Sequence, residues 1–184
     1  MIAGRLASIL LFVLSWSLLV CAAPGAPTPR AVANRRDSGS LAPLTTLEGV
    51  TRKQLDSCIN VKSVEEAKDI IAVMVANIKT TTESLSKSGE VNINSTAETD
   101  VAVRVASIIT LIVKLIFKLS QKLGSDVITP LCGEIDVALN ALLEFVAQLV
   151  TGILPTVANK LADVKTEAIL KVDLVECATL LGLA

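Results

Sequence analysis

Between Val101 and Leu123 the sequence is apolar around most of a helical circumference. At about 100° per residue, Asp100, Arg104, Ser107, Thr110, Lys114, Lys118 and Lys122 fall within an arc of about 120°. Nearly every other position is Val, Ile, Leu, Ala or Phe. A surface helix needs an apolar stripe only a little over 100° wide, so this one has about twice the usual amount. The surplus must meet more protein, lipid or an interface. A bilayer span is excluded, because Lys114, Lys118 and Lys122 recur at each turn along one stripe.

The neighbouring segments have the same character and similar length. Ser63 with Glu66 forms a capping-box signature, followed by Val64, Ala67, Ile71, Met74, Ile78 and Leu85 on one face, up to Gly89. Ser95 with Glu98 repeats the signature at the head of the apolar helix, and Gly124 follows its end as a C′ glycine. A third helix is predicted from Thr129-Pro130 to about Ile153, with Asp136, Asn140, Glu144, Gln148 and Thr151 on a narrow polar arc. A fourth runs from about Thr156 to Gly182, with Val157, Leu161, Val164, Ala168, Val172 and Val175 on one face. Ahead of these, Thr45 and Glu48 can cap a shorter helix whose Leu47, Val50 and Leu55 face inward.

The β-branched content leaves a strand reading open. Segments of about 24 to 28 residues with paired cap signals favour helix. Matched helices on short connections make antiparallel neighbours. The expected fold is all-α: an antiparallel four-helix bundle with a short extra N-terminal helix, occupying residues 45–184. A chain of this size can form a single core, burying roughly 70% of the surface its unfolded state exposes.

The N-terminal segment sets the compartment. Arg5, the apolar run Leu6–Val20 and the small residues around Ala22 follow the secretory signal pattern, with cleavage expected after Ala22. Residues 23–44 are rich in Pro, Ala, Gly, Ser and Arg and read as a linker or pro-segment. Within it, Arg35-Arg36 is either a dibasic processing site cut after Arg36 or a solvated basic pair. Removing residues 1–36 takes away Arg5, Arg30, Arg35 and Arg36 and no acid, leaving 13 basic against 18 acidic residues, a net charge of −5. Such a surface argues against nucleic acid as a partner. No transmembrane span is expected after signal removal, since Phe145–Asn159, the longest later uncharged stretch, is too short and contains Gly152 and Pro155.

The missing residue types narrow the chemistry. The chain has no His and no Tyr, and Trp16 lies in the signal segment. Imidazole acid–base chemistry, His-activated nucleophiles and imidazole metal ligands are therefore absent. No phosphate-binding loop, dinucleotide fingerprint, EF-hand or zinc-protease motif occurs. The remaining acids sit on polar helix faces or at helix starts. The sequence is read as a non-enzyme without catalytic residues, cofactor or metal. Phe117 and Phe145 are the only aromatic residues after the signal, too few for carbohydrate stacking.

After loss of Cys21, the cysteines are Cys58, Cys132 and Cys177, an odd number for an oxidising compartment. The bundle brings all three to one pole, where any pair could close a disulfide. The leftover thiol is then either a small buried apolar group or a link between chains. Asn94-Ser95-Thr96 is an N-glycosylation sequon between two helices, at the opposite pole.

This layout of signal peptide, Arg35-Arg36 pro-segment, polar first half and apolar Val101–Leu154 resembles that of small secreted hydrophobic proteins of filamentous fungi. It is similar to the hydrophobic surface-binding protein family and to basidiomycete matrix proteins of cell walls and aerial hyphae that are not hydrophobins. The hydrophobins themselves have an eight-cysteine pattern that is absent here. The resemblance implies a non-enzymatic extracellular or cell-wall protein that adsorbs to hydrophobic material. The partners expected on this reading are hydrophobic surfaces, lipid or further copies of the chain. Val105, Ile109, Ile112, Ile116, Phe117, Leu142, Phe145 and Leu149 are the candidate hydrophobic face. The alternative is a soluble carrier whose helices enclose a lipid or other hydrophobic ligand.

Overall fold

The computed structural model describes residues 41–87, 95–161 and 166–183. All of them fall in the compact unit Arg35–Ala184. The signal segment with Ala22, the Arg36 site and the Asn94 sequon lie outside the described residues. Within them every regular element is helical: α1 (Ala42–Ser57), a 3-10 turn (Cys58–Asn60), α2 (Val64–Lys87), α3 (Ser95–Leu123), α4 (Ser125–Leu149), α5 (Ile153–Lys160), α6 (Thr166–Lys171) and α7 (Val175–Leu180).

The all-α bundle expected from the periodicity is present, but its four long members are α1 to α4. Helix α1 has 16 residues and begins inside the stretch assigned to the linker. Pro43 lies in its first turn, where a missing backbone donor costs nothing. Leu44, Leu47 and Thr51 form its buried face, while Val50 and Leu55 are only half-buried. The Thr51 hydroxyl donates to the Leu47 carbonyl at 2.8 Å and lies 3.5 Å from the Met74 sulfur of α2, so the one polar group on this face is satisfied.

The Ser63 cap forms: the Glu66 N–H donates to Ser63 Oγ at 3.2 Å. The Glu66 carboxylate reaches back to the Lys62 N–H at 2.8 Å, one residue beyond the usual reciprocal partner. Ala67, Ile71, Met74, Val75, Ile78 and Leu85 then face the core. Between α3 and α4 the only linking residue is Gly124, with φ of 95°. That left-handed value suits glycine and lets the chain reverse at once. Helix α4 accordingly starts at Ser125, ahead of the expected Thr129-Pro130, and keeps Pro130 in its second turn.

The expected fourth helix is broken into α5, α6 and α7. Val157, Leu161 and Val172 are buried as the periodicity implied, but Val175 is 48% exposed. Asp173, with φ of 61°, turns the chain and changes the helical phase. Beyond it Leu174, Cys177, Ala178 and Leu181 face inward instead. Val164 lies outside the described residues.

Helix α1 packs on α2 and α3, α2 on α4, and α4 on α3 and α7, while α3 also meets α5. Glu48 of α1 touches Arg104 and Ser107 near the start of α3. Further along, the Lys122 ammonium donates to the Ile59 carbonyl. These two ties set α1 and α3 parallel. The bundle is therefore two antiparallel hairpins, α1–α2 and α3–α4, laid against each other.

Ile112→Ala, at a fully buried site on α3, is expected to lower unfolding free energy by about 2–5 kcal/mol. Phe117→Ala, at a site 51% exposed, is expected to cost under about 1 kcal/mol. Urea denaturation of both variants checks the difference.

Candidate functional site

The expected hydrophobic face is mostly core. Val105, Ile109, Ile112, Ile116 and Leu142 are at most 1% exposed. Phe145 and Leu149 are partly buried against the same cluster, and Phe117 alone among the eight is open to solvent. The reason is the number of neighbours. The buried positions of α3 span about 180° of its circumference, from Leu115 round to Ala106. This arc is shared among α1, α4 and α5. On α4 the buried arc is about 160°, shared among α2, α3 and α7. The surplus apolar surface that the sequence shows is thus covered by the protein itself.

What remains on the outside of α3 borders a groove of about 610 Å³ between α1, α3 and α5. Leu55, Val103, Ala106 and Leu111 give it apolar walls, and Arg52, Lys114 and Lys160 bring three cations against Asp56. Glu48 forms salt bridges to Arg52 at 3.3 Å and to Arg104 at 3.5 Å. Lys114 and Lys160 take no part in them. Glu48, read in the sequence as a cap, instead accepts from Ser107 at 2.9 Å and joins α1 to α3. Nothing in the local pattern distinguishes those roles, because the partners lie more than 50 residues away.

A second constellation lies where α7 meets α4. Asp136 is 5% exposed, although the sequence placed it on a polar arc. Its carboxylate oxygens accept the Glu176 N–H at 2.8 Å and the Cys177 N–H at 2.9 Å. These are two of the orphan donors at the start of α7, so Asp136 caps a helix remote in sequence. The expected disulfide is not formed: Cys58, Cys132 and Cys177 are free, buried thiols. The Cys132 thiol instead donates to the Ile128 carbonyl at 3.3 Å. Burial, reinforced by the nearby Asp173 and Asp136 carboxylates, pushes the Cys132 thiol up to about 11. Burial and then Asp136 push Cys177 up to about 12. Burial also raises Cys58, opposed by Lys118 and Lys122. All three are therefore poor nucleophiles at neutral pH.

Among the described residues no group of three or more His, Cys, Asp or Glu side chains could hold a metal ion, and no helix is long and apolar enough to cross a membrane.

Asp136→Ala leaves two N–H groups of α7 without an acceptor. It is expected to cost about 1–3 kcal/mol and to speed amide exchange across residues 174–181, with little change at the centre of α3; site-resolved hydrogen exchange reads both. The thiols also predict a pH effect. A thiol raised on folding adds stability that is complete below its unfolded value of 9.0 and is lost as pH rises through the folded value. Unfolding free energy should therefore fall between pH 9 and about 11, and fall less in Cys132→Ala, as followed by urea titration at each pH.

Comparison with known protein families, curated proteins and solved structures finds no match to this chain.

Proposed function

We propose that this is a secreted, non-enzymatic interaction protein of the extracellular matrix or cell wall, which binds hydrophobic surfaces by exchanging its internal helix contacts for contacts with the surface. The observation that carries this reading is the pair α3 and α4. Both helices turn wide apolar arcs inward and keep their charged residues outward, beside single exposed apolar side chains such as Val103, Phe117 and Val137. Burial of apolar area is non-directional, so a hydrophobic solid, a lipid layer or an air–water boundary can replace a neighbouring helix as the cover. Among the described residues the polar ties between elements include the Glu48 bridge, the Lys122–Ile59 bond, the Thr51–Met74 contact and the Asp136 cap. Amphipathic helices freed in this way lie flat on an interface with their charged faces outward. The absence of His and the sparse aromatic inventory fit a role in which no bond is made or broken.

The groove between α1, α3 and α5 favours a second reading, a carrier of a hydrophobic ligand. Its volume falls within the usual range for small-ligand sites, roughly 300–1,000 Å³. On this reading the bundle stays closed.

Depletion from solution by hydrophobic beads separates the two. On the surface-binding reading the protein is depleted and desorbs slowly. Amides of α3 and α4 that are protected in solution become exchangeable during adsorption, and Asp136→Ala adsorbs faster because α7 lifts more readily and uncovers its part of α4. Co-purified lipid found by mass spectrometry, together with no depletion by the beads, would overturn the surface reading in favour of the carrier.

A further inference from the structure

The groove between α1, α3 and α5 has a charge opposite to that of the chain around it. From Asp37 onward the sequence holds 13 basic and 18 acidic residues. The groove wall instead gathers Arg52, Lys114 and Lys160 around one acid, Asp56, so three cations against one anion leave it at +2. Arg52 is engaged by Glu48 at 3.3 Å. Lys114 and Lys160, both exposed, form no hydrogen bond or ion pair with the described residues. The hydroxyls on the same wall already donate elsewhere, Ser107 to Glu48 at 2.9 Å and Thr110 to the Ala106 carbonyl at 2.8 Å. The two lysines are therefore the uncommitted cationic donors of the groove.

Apolar surface runs beside them. Leu55 and Leu111 are half-buried, and Val103 is 45% exposed. Val103 to Lys114 covers about 16 Å of the α3 axis, so the groove runs along that helix. A groove of about 380 Å³ between α1 and α2 lacks this combination. Thr46, Val50, Asn77 and Thr80 are among its lining residues, none of which is charged. Its Thr46 and Thr80 hydroxyls donate to carbonyls of their own helices.

We propose that the groove between α1, α3 and α5 binds a single-chain amphiphile with an anionic head group. The chain lies along Leu55, Val103 and Leu111, and the ammonium groups of Lys114 and Lys160 take the head group. Both ammonium groups sit on flexible four-carbon stems, which lets them converge on one anion. Charge selects the ligand, and the apolar wall holds it. The proposal rests on the carrier reading, in which the bundle stays closed, and adds to it the charge and shape of the ligand.

The test titrates the mature chain with n-decyl sulfate and with uncharged n-decyl maltoside, both below their micelle concentrations. Calorimetry gives the affinity, and amide chemical shifts give the place. Decyl sulfate is expected to bind with shifts centred on Arg52–Asp56, Val103–Lys114 and Lys160, while protected amides of α3 stay protected. Decyl maltoside should bind about tenfold more weakly. Octyl sulfate should bind several-fold more weakly than decyl sulfate, since each buried methylene contributes up to about fourfold in affinity. Lys114→Gln combined with Lys160→Gln, both at exposed sites, should weaken decyl sulfate about tenfold and leave decyl maltoside unchanged. Equal affinity for the two decyl compounds at this groove would overturn the charge assignment while the carrier reading stands. Binding of neither would remove both. Equal shifts from inorganic sulfate would overturn the proposal by making the alkyl chain irrelevant. Loss of protection throughout α3 and α4 would overturn it by showing that the amphiphile opens the bundle.

Discussion

Coverage of α3 on three sides is the constraint on which the rest of this bundle depends. A helix with a buried arc of about 180° cannot be satisfied by one partner or by two on the same side. It requires α1, α4 and α5 to arrive from separate directions. That requirement explains why α1 is a full-length member of the bundle and why the chain after Gly152 returns across α3 instead of continuing as a long separate rod. Side chains such as Ile108, Ile109, Ile112, Leu115, Ile116 and Leu119 are all at most 1% exposed. With no aromatic ring among these side chains, this part of the core is filled by branched aliphatic groups.

Polar contacts refine this arrangement at a few points. Glu48 gathers Arg52, Arg104 and Ser107 at one place on the α1–α3 seam. The two ion pairs are partly solvated, and each contributes under about 1 kcal/mol. Their value is in register: they fix which turn of α1 lies beside which turn of α3. Asp136 does the corresponding work for the C-terminal segment, with the difference that its carboxylate is buried and bonded to backbone N–H groups. The surface face of the molecule is otherwise ordinary, with single exposed apolar side chains such as Val73, Val103 and Val137 separated by polar ones.

Much of the fold was legible because its signals are local. Ser63 and Glu66 mark a helix start through bonds spanning four residues, and Gly124 marks a reversal through its own backbone angle. The apolar periodicity of α2, α3 and α4 identified the core faces. The break at Asp173 was not legible, because the apolar spacing from Val157 to Val172 continues smoothly to Val175. What interrupts it is a carboxylate 37 residues earlier in the chain, which captures the N–H groups that a continuous helix would have used internally. The inward packing of the candidate face was not legible for a similar reason. Sequence shows how much apolar surface a helix has, but the number of neighbours it will meet is a property of the whole topology. Val105 and Ile109 therefore read equally well as a presented face or as core.

The single-residue connection at Gly124 has a mechanical consequence. Leu123 and Ser125 belong to different helices yet are separated by one residue, so there is no slack with which α3 and α4 could part at that pole. The short turn Cys58–Ser63 ties α1 to α2 at the same pole. Loosening of the bundle is thus confined to two kinds of movement: each hairpin splaying at its free ends, or the two hairpins sliding apart along the α1–α3 and α2–α4 seams. When α3 and α4 splay, the Gly124 end acts as a fixed pivot, and apolar surface is uncovered progressively from the far end, in the manner of a clasp.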